Sequence, residues 1–276
     1  MPKAIEAEQF IRQADPVAAL KALQPVVRAN PADAELRIFL FQILCVLSDW
    51  DRALTQLEVI EQLAPAAGPM VQTCRPAILC ERLRARVFAG KKSPLLFGEP
   101  EAWLALLIEA LLREGQGEEN AARDLRARAL EDAPASSGTL DGEAFEWIAD
   151  GDSRLGPVLE AIVNGKYYWV PIARLARITV EPPADLRDAV WAPAELEFVN
   201  GGLAPALIPT RYPNPPAANE GALLMARATS WQDAGPDAWR GVGQRMFMTD
   251  RGEHALMDVR EILLHGPDQA ADAPHG

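Results

Sequence analysis

The residues best suited to chemistry lie between Asp141 and Pro171, in the run DGEAFEWIADGDSRLGPVLEAIVNGKYYWVP. Its first twelve positions hold five acids, Asp141, Glu143, Glu146, Asp150 and Asp152, and no base. Neighbouring carboxylates can act as general acid and base when their surroundings push their pKa values apart. Glu143 and Glu146 are therefore one candidate pair, in an enzyme site spanning Glu143 to Trp169. Carboxylates also bind calcium. Asp150-Gly151-Asp152 opens like a calcium loop, but Leu155 stands where the loop needs glycine and Ala161 where it needs a bidentate glutamate. Helix capping is the expected use of these acids. No G-x-S-x-G elbow and no phosphate loop occurs, and His254, His265 and His275 all come late in the chain. The expectation is a protein without catalysis, cofactor or metal.

Elements must hold these residues in place. Leu155, Val158, Leu159, Ile162 and Val163 fall at i, i+3, i+4, i+7 and i+8, which predicts a helix capped by Asp152 or Ser153 and ended at Gly165. Lys166 to Val170 then reads as an aromatic strand. In a strand Tyr167 and Trp169 share one face and Tyr168 takes the other. One face is expected to pack on the helix and the other to close a sheet. Phe145 and Trp147 read as packing between two halves of the molecule, Arg154 as a partner for the acids before it. The whole stretch predicts helix, acidic turn, helix, strand, a seam between a helical half and a β-rich half.

The helical half repeats itself. Ala19-Leu20 and Ala53-Leu54 stand 34 residues apart, as do Leu23 and Leu57, and each run closes on a proline, Pro31 or Pro65. Asp15-Pro16 and Asp49-Trp50-Asp51 open the two helices. This period, with a small residue where helices cross and a proline that ends the second helix, is the tetratricopeptide pattern. Further helices are predicted over Ala66–Ala89, Pro100–Arg113 and Glu118–Asp132, with Arg75, Arg82, Arg84 and Arg86 as a solvated basic face. The linker Ala133–Gly138 (APASSG) marks the expected boundary between residues 1–135 and 139–265.

After the seam the patterning is β-rich. Strands are predicted at Leu175–Val180, Glu195–Val199, Leu203–Ile208, Ala222–Ala228, Arg245–Thr249 and His254–Val259, with a helical turn at Leu186–Trp191. Asn200-Gly201-Gly202 predicts a hairpin turn. The segment PTRYPNPP, 209–216, lacks the N–H donors of a central strand and predicts an exposed loop carrying Arg211 and Tyr212. The fold class is thus α+β, a tetratricopeptide-like array followed by a smaller twisted sheet or partly closed barrel, with a disordered tail at 266–276.

Charge narrows the partners. The chain of 276 residues carries −12. Residues 1–138 hold 16 bases and 19 acids, residues 139–276 hold 11 and 20. Such a surface repels phosphate backbones and anionic lipid, so nucleic-acid and membrane roles are not expected. No apolar run spans a bilayer, no secretion signal opens the chain, and Cys45, Cys74 and Cys80 show no metal-like pairing. A reducing, cytoplasmic compartment is expected.

The runs GEAFEWIADGDSRLGPVLEAIVNGKYYWVP, LRDAVWAPAELEFVNGG and ALIPTRYP resemble the ImpE family, also called TagJ. The resemblance covers nearly the whole chain. It implies a non-catalytic accessory component of the bacterial type VI secretion system that binds the N-terminal helix of the small sheath subunit. It also implies a link to the ATPase that recycles contracted sheath. On that reading the candidate partner contacts are Trp147, Asp150, Asp152, Arg154, Tyr168, Arg211 and Tyr212.

Overall fold

The computed structural model describes residues 2–213, 220–236 and 238–265. The tail expected at 266–276 and the end of the proline-rich segment at 214–216 lie outside the described residues. The helical half comprises α1 (Pro2–Arg12), α2 (Pro16–Ala29), α3 (Ala34–Val46), α4 (Trp50–Leu63), α5 (Gly68–Phe88), α6 (Ala102–Gly115) and α7 (Glu119–Asp132). Its repeat is visible at the level of single hydrogen bonds. Ala14 and Ser48 both sit at φ 57°. Asp15 N donates to Phe10 O and Asp49 N to Leu44 O, closing each first helix with the same left-handed turn. Each aspartate then caps the next helix, Asp15 accepting from Ala18 N and Asp49 from Arg52 N. Ala19, Leu23, Ala53 and Leu57 are fully buried where the helices cross.

Strand β1 (Leu95–Leu96) belongs to the helical half; β2 (Gly138–Leu140), β3 (Glu143–Phe145), β4 (Ile148–Asp150), β5 (Val158–Val163) and β6 (Lys166–Pro171) form the seam. There follow β7 (Leu175–Val180), β8 (Trp191–Phe198), β9 (Leu203–Pro209), α8 (Gly221–Leu224), β10 (Thr229–Asp233), β11 (Trp239–Gly243), β12 (Met246–Thr249), β13 (Gly252–Ala255) and β14 (Glu261–Leu264). The main sheet runs β1-β6-β5-β9-β8-β7-β14-β2-β3, with β13-β12-β4 and β10-β11 as smaller sheets. The large sheet ends in β1 and β3 rather than closing, so it is a twisted open sheet and not a barrel.

Several expectations need correcting. The seam holds no helix. Residues 143–150 form short strands, and the predicted helix over 155–163 is β5 preceded by turns. All six β5 residues are buried, so both faces of the strand lie inside the protein, and all but Glu160 are apolar. A continuous apolar run satisfies helical spacing as well as strand spacing, and that misled the periodicity. The turn that settles the matter is Asn164-Gly165, at φ 49° and 71°, which reverses β5 into β6 as Asn-Gly does in tight hairpins. Downstream, the strand predicted at 222–228 is instead the single turn α8. The Asn200-Gly201-Gly202 hairpin joins β8 to β9 as expected, with Leu203 opposite Glu197.

Two cores flank the main sheet. On one face Cys74, Ile78 and Val87 of α5 pack with Val158, Tyr167, Trp169 and Trp191 in the cluster that also fills the helical array. On the other, Leu159, Ile178, Leu196 and Ile208 pack with Ile148 of β4 and Phe247 of β12. β1 adds a parallel edge to the sheet, Leu96 opposite Trp169. The helical array and the sheet therefore share one hydrophobic cluster and one edge strand, although the chain passes between them at 133–138.

Candidate functional site

Where α5 crosses β5 and β6, charged side chains replace apolar ones. Glu160 interrupts the run VLEAIV and is wholly buried. A buried carboxylate is tolerated only with partners. Its Oε1 accepts from Arg84 Nε at 2.6 Å and from the Tyr167 hydroxyl at 2.5 Å. Its Oε2 accepts from Arg84 Nη2 at 2.9 Å and from Arg245 Nη2. Trp169 Nε1 donates to the Tyr167 oxygen at 2.7 Å. Arg245 reaches Asp150 with its other terminal nitrogen and the Pro209 carbonyl with Nε. Arg84 Nη2 also donates to the Arg211 carbonyl at 2.7 Å. One carboxylate of β5 thus binds a guanidinium from the helical half and another from the loop before β12.

The seven residues expected to contact a partner distribute unevenly around this network. Asp150 accepts from Arg245 and from Asp152 N. Asp152, expected to cap a helix, instead accepts from Arg154 N, Nε and Nη2 and from Gly241 N. Arg154 does pair with the acid before it, as the sequence suggested, and its guanidinium lies 4.9 Å from the Phe88 ring. Arg211 and Tyr212 are not on an exposed loop. Arg211 donates to the carbonyls of Cys45, Val46 and Leu224, the first two in the last turn of α3, where Cys45 O also accepts from Ser48 N. Tyr212 lies flat on Gly241, where a Cβ would stand 2.1 Å from its ring. Its hydroxyl accepts from Met246 N at 3.0 Å. These five are interior. Tyr168 is half-buried against Phe97, with ring centroids 4.8 Å apart. Trp147 is 41% exposed and does not pack between the halves, whereas Phe145 sits in the β-side core. Among the solvated bases expected on α5, Arg75 pairs with Glu61 and Arg82 with Asp51 at the surface, while Arg84 is the buried exception.

Sequence reasoning passed over Glu160, Arg84 and Arg245 as a unit. One signal was available, a lone glutamate inside an apolar run, which must find a cation.

The electrostatics follow from burial. Desolvation pushes the Glu160 carboxyl up, but Arg84 and Arg245, with hydrogen bonds from Arg84 and Tyr167, outweigh it and hold the group at about 2. Burial pushes Asp150 up to about 7 against the pull of Arg245. Arg211 has carbonyls for partners, and burial lowers it to about 10. The thiols of Cys45, Cys74 and Cys80 are pushed up by burial, Cys80 to about 12, which keeps them protonated and poor nucleophiles. A pH prediction comes from Glu160. Its folded value is depressed from 4.5, so its stabilisation is complete above pH 4.5 and is lost as pH falls towards 2. The difference amounts to roughly 3 kcal/mol. Acid denaturation should therefore be shallower in Glu160→Gln than in the wild type over that window. Equal acid slopes would contradict the assignment. Asp150 has the opposite sign, since a raised carboxyl gains stability for the fold as pH falls from about 7 towards 3.8.

Fold and site together define an α+β protein in which tetratricopeptide-like helices are tied to a β-rich module through a buried ion network. Among the described residues no helix is long and apolar enough to cross a membrane. The chain belongs to the ImpE family, whose profile, described as "ImpE protein", matches residues 142–263. It is 48% identical over 265 residues to a Pseudomonas aeruginosa protein named "Type VI secretion system accessory component TagJ", an overlap of 96% of this chain and 93% of that one. A crystal structure of a Vibrio parahaemolyticus protein shares the fold, with a TM-score of 0.87 at 22% identity over 94% of this chain and 97% of the other.

Proposed function

We propose that the protein is a non-catalytic cytoplasmic adaptor of a bacterial type VI secretion system. It binds the N-terminal helix of the small sheath subunit and assists sheath assembly or ATPase-driven recycling, with the recycling ATPase as a further partner. The observation that carries this reading is the 48% identity, over 96% of the chain, to a protein named as an accessory component of that system. Two features support an adaptor over an enzyme with a site near Glu143–Trp169. Glu143 and Glu146 are exposed at short strands rather than gathered in a pocket. The buried acids Asp150, Asp152 and Glu160 are each bound to an arginine. In this reading residues 1–135 and 139–265 are two parts of one binding body. Trp147 and Tyr168 are the surface contacts among the seven, and the buried five hold the surface in shape.

Co-purification tests the reading. The small sheath subunit should be retained by the tagged protein and lost when its N-terminal helix is deleted. Retention without that helix, or no retention of the intact subunit, would contradict it.

A further inference from the structure

Arg211 differs from the other buried arginines. Arg84 and Arg245 share Glu160, Arg154 binds Asp152, and Arg126 binds Glu114. Arg211, 7% exposed, makes its hydrogen bonds to neutral oxygens alone: three carbonyls and, at 3.4 Å, the Ser48 hydroxyl. Carbonyls replace part of the water that a buried cation gives up, but they bring no counter-charge. Burial accordingly lowers Arg211, with Glu81 pulling the other way.

A cavity of about 140 Å³ is lined by Arg211 and Arg84, with Ser48 and Trp50 from the turn between α3 and α4. About 15 Å³ is enough for one water, so the space takes a small polyatomic ion. Its walls hold more donors than acceptors. Arg84 fills Nε and Nη2 with Glu160 and the Arg211 carbonyl, and spends one of its two Nη1 hydrogens on Glu81 at 3.4 Å. Arg211 uses both terminal nitrogens twice, whereas its Nε donates to nothing among the described residues. Among those residues the Trp50 indole N–H and the Ser48 hydroxyl hydrogen are likewise unused. Glu81 is the acid on these walls, and its oxygens already accept from Trp191 Nε1 at 3.0 Å and from Arg84.

These walls select the guest. Unused N–H and O–H groups beside a buried cation need an acceptor, and a charged acceptor also supplies the missing counter-charge. We propose that this cavity binds one small oxyanion, a carboxylate or a phosphate, on Arg211 and Arg84, with Ser48 and Trp50 as further donors. The −12 charge of the chain repels a polyanion, so the guest is a single anionic group. A free ion and the terminal carboxylate of a peptide offer this same chemistry. The site is independent of the adaptor reading.

Calorimetric titration and thermal melting of the full chain, at constant ionic strength, test it. The probes are sodium phosphate, sodium acetate, and acetyl-triglycine with its C-terminus free or amidated. At least one anionic probe should bind and raise the melting temperature saturably, and the amide should not. Ser48→Ala and Trp50→Phe each remove one donor and should weaken that probe by about tenfold. Alanine is tolerated at position 48, because Ala14 holds the same φ of 57° in the matching turn. Phenylalanine at position 50 keeps an aromatic ring on Trp191. Arg211→Gln should abolish binding; if that variant fails to fold, the other two decide. Binding of phosphate or acetate supports the site with a free ion as its source. Binding of the free-acid peptide alone supports it with a chain end as its source. No saturable binding by any probe overturns the proposal. So does an amide that binds as tightly as the acid, or an affinity unchanged in both folded Ser48→Ala and Trp50→Phe.

Discussion

Glu160→Ala is expected to destabilise the folded protein by about 3–5 kcal/mol. The substitution leaves Arg84 and Arg245, 4% and 0% exposed, without their shared carboxylate. It also removes the acceptor of the Tyr167 hydroxyl, which in turn receives Trp169 Nε1. Arg245 keeps Asp150 and Arg84 keeps Glu81 at 3.4 Å, so the main cost is a shortfall of negative charge around two buried guanidiniums, and loss of one hydrogen bond is minor beside it. Glu160→Gln keeps the shape and one acceptor, so its effect should be smaller. Arg84→Met made together with Glu160→Leu should recover part of the loss, because an apolar pair replaces one of the two buried ion pairs with little penalty while Arg245 keeps Asp150. Urea unfolding of the four proteins measures this directly. A Glu160→Ala midpoint within error of the wild type would mean that the network contributes nothing to holding α5 on the sheet.

Much of this arrangement was readable from the chain. The alanines at 19 and 53 and the aspartates at 15 and 49 report backbone geometry that short-range hydrogen bonds enforce, so the 34-residue repeat carries through to matched turns at Ala14 and Ser48. The β8–β9 hairpin was equally local, because Asn200-Gly201-Gly202 supplies its own turn. Strand β5 was misread because burial on both faces erases the alternation that distinguishes a strand. The Asn164-Gly165 turn beside it held the correct answer.

Other features had no local signal. β14 lies between β7 and β2, a pairing of residues more than 80 and 120 positions apart in the chain. Arg211 looks like a loop cation in the sequence, and its burial follows from carbonyls at the end of α3 and at Leu224, which lie far from it in the chain or across a loop. The ion network likewise joins residues 84, 150, 160 and 245, which no window of sequence brings together.

The second large effect is on partner binding, and one titration tests it. The sheath subunit's N-terminal peptide should bind the full protein and become more helical on binding. An isolated helix of a few turns is marginal in water, so ordering it opposes association. Apolar insertion must supply the affinity, and replacing two leucines of the peptide's stripe by alanine should weaken binding by about a hundredfold or more, at roughly 1.5 kcal/mol for each. The −12 charge of the chain steers a basic guest, but that contribution fades with added salt. Calorimetry of the peptide at low and high salt, each at two temperatures, separates these causes. A helix seated by its apolar stripe gives a negative heat-capacity change and only a modest loss of affinity at high salt. Binding that vanishes at high salt, or no heat at either salt with folded protein and soluble peptide, would contradict a helix-binding adaptor.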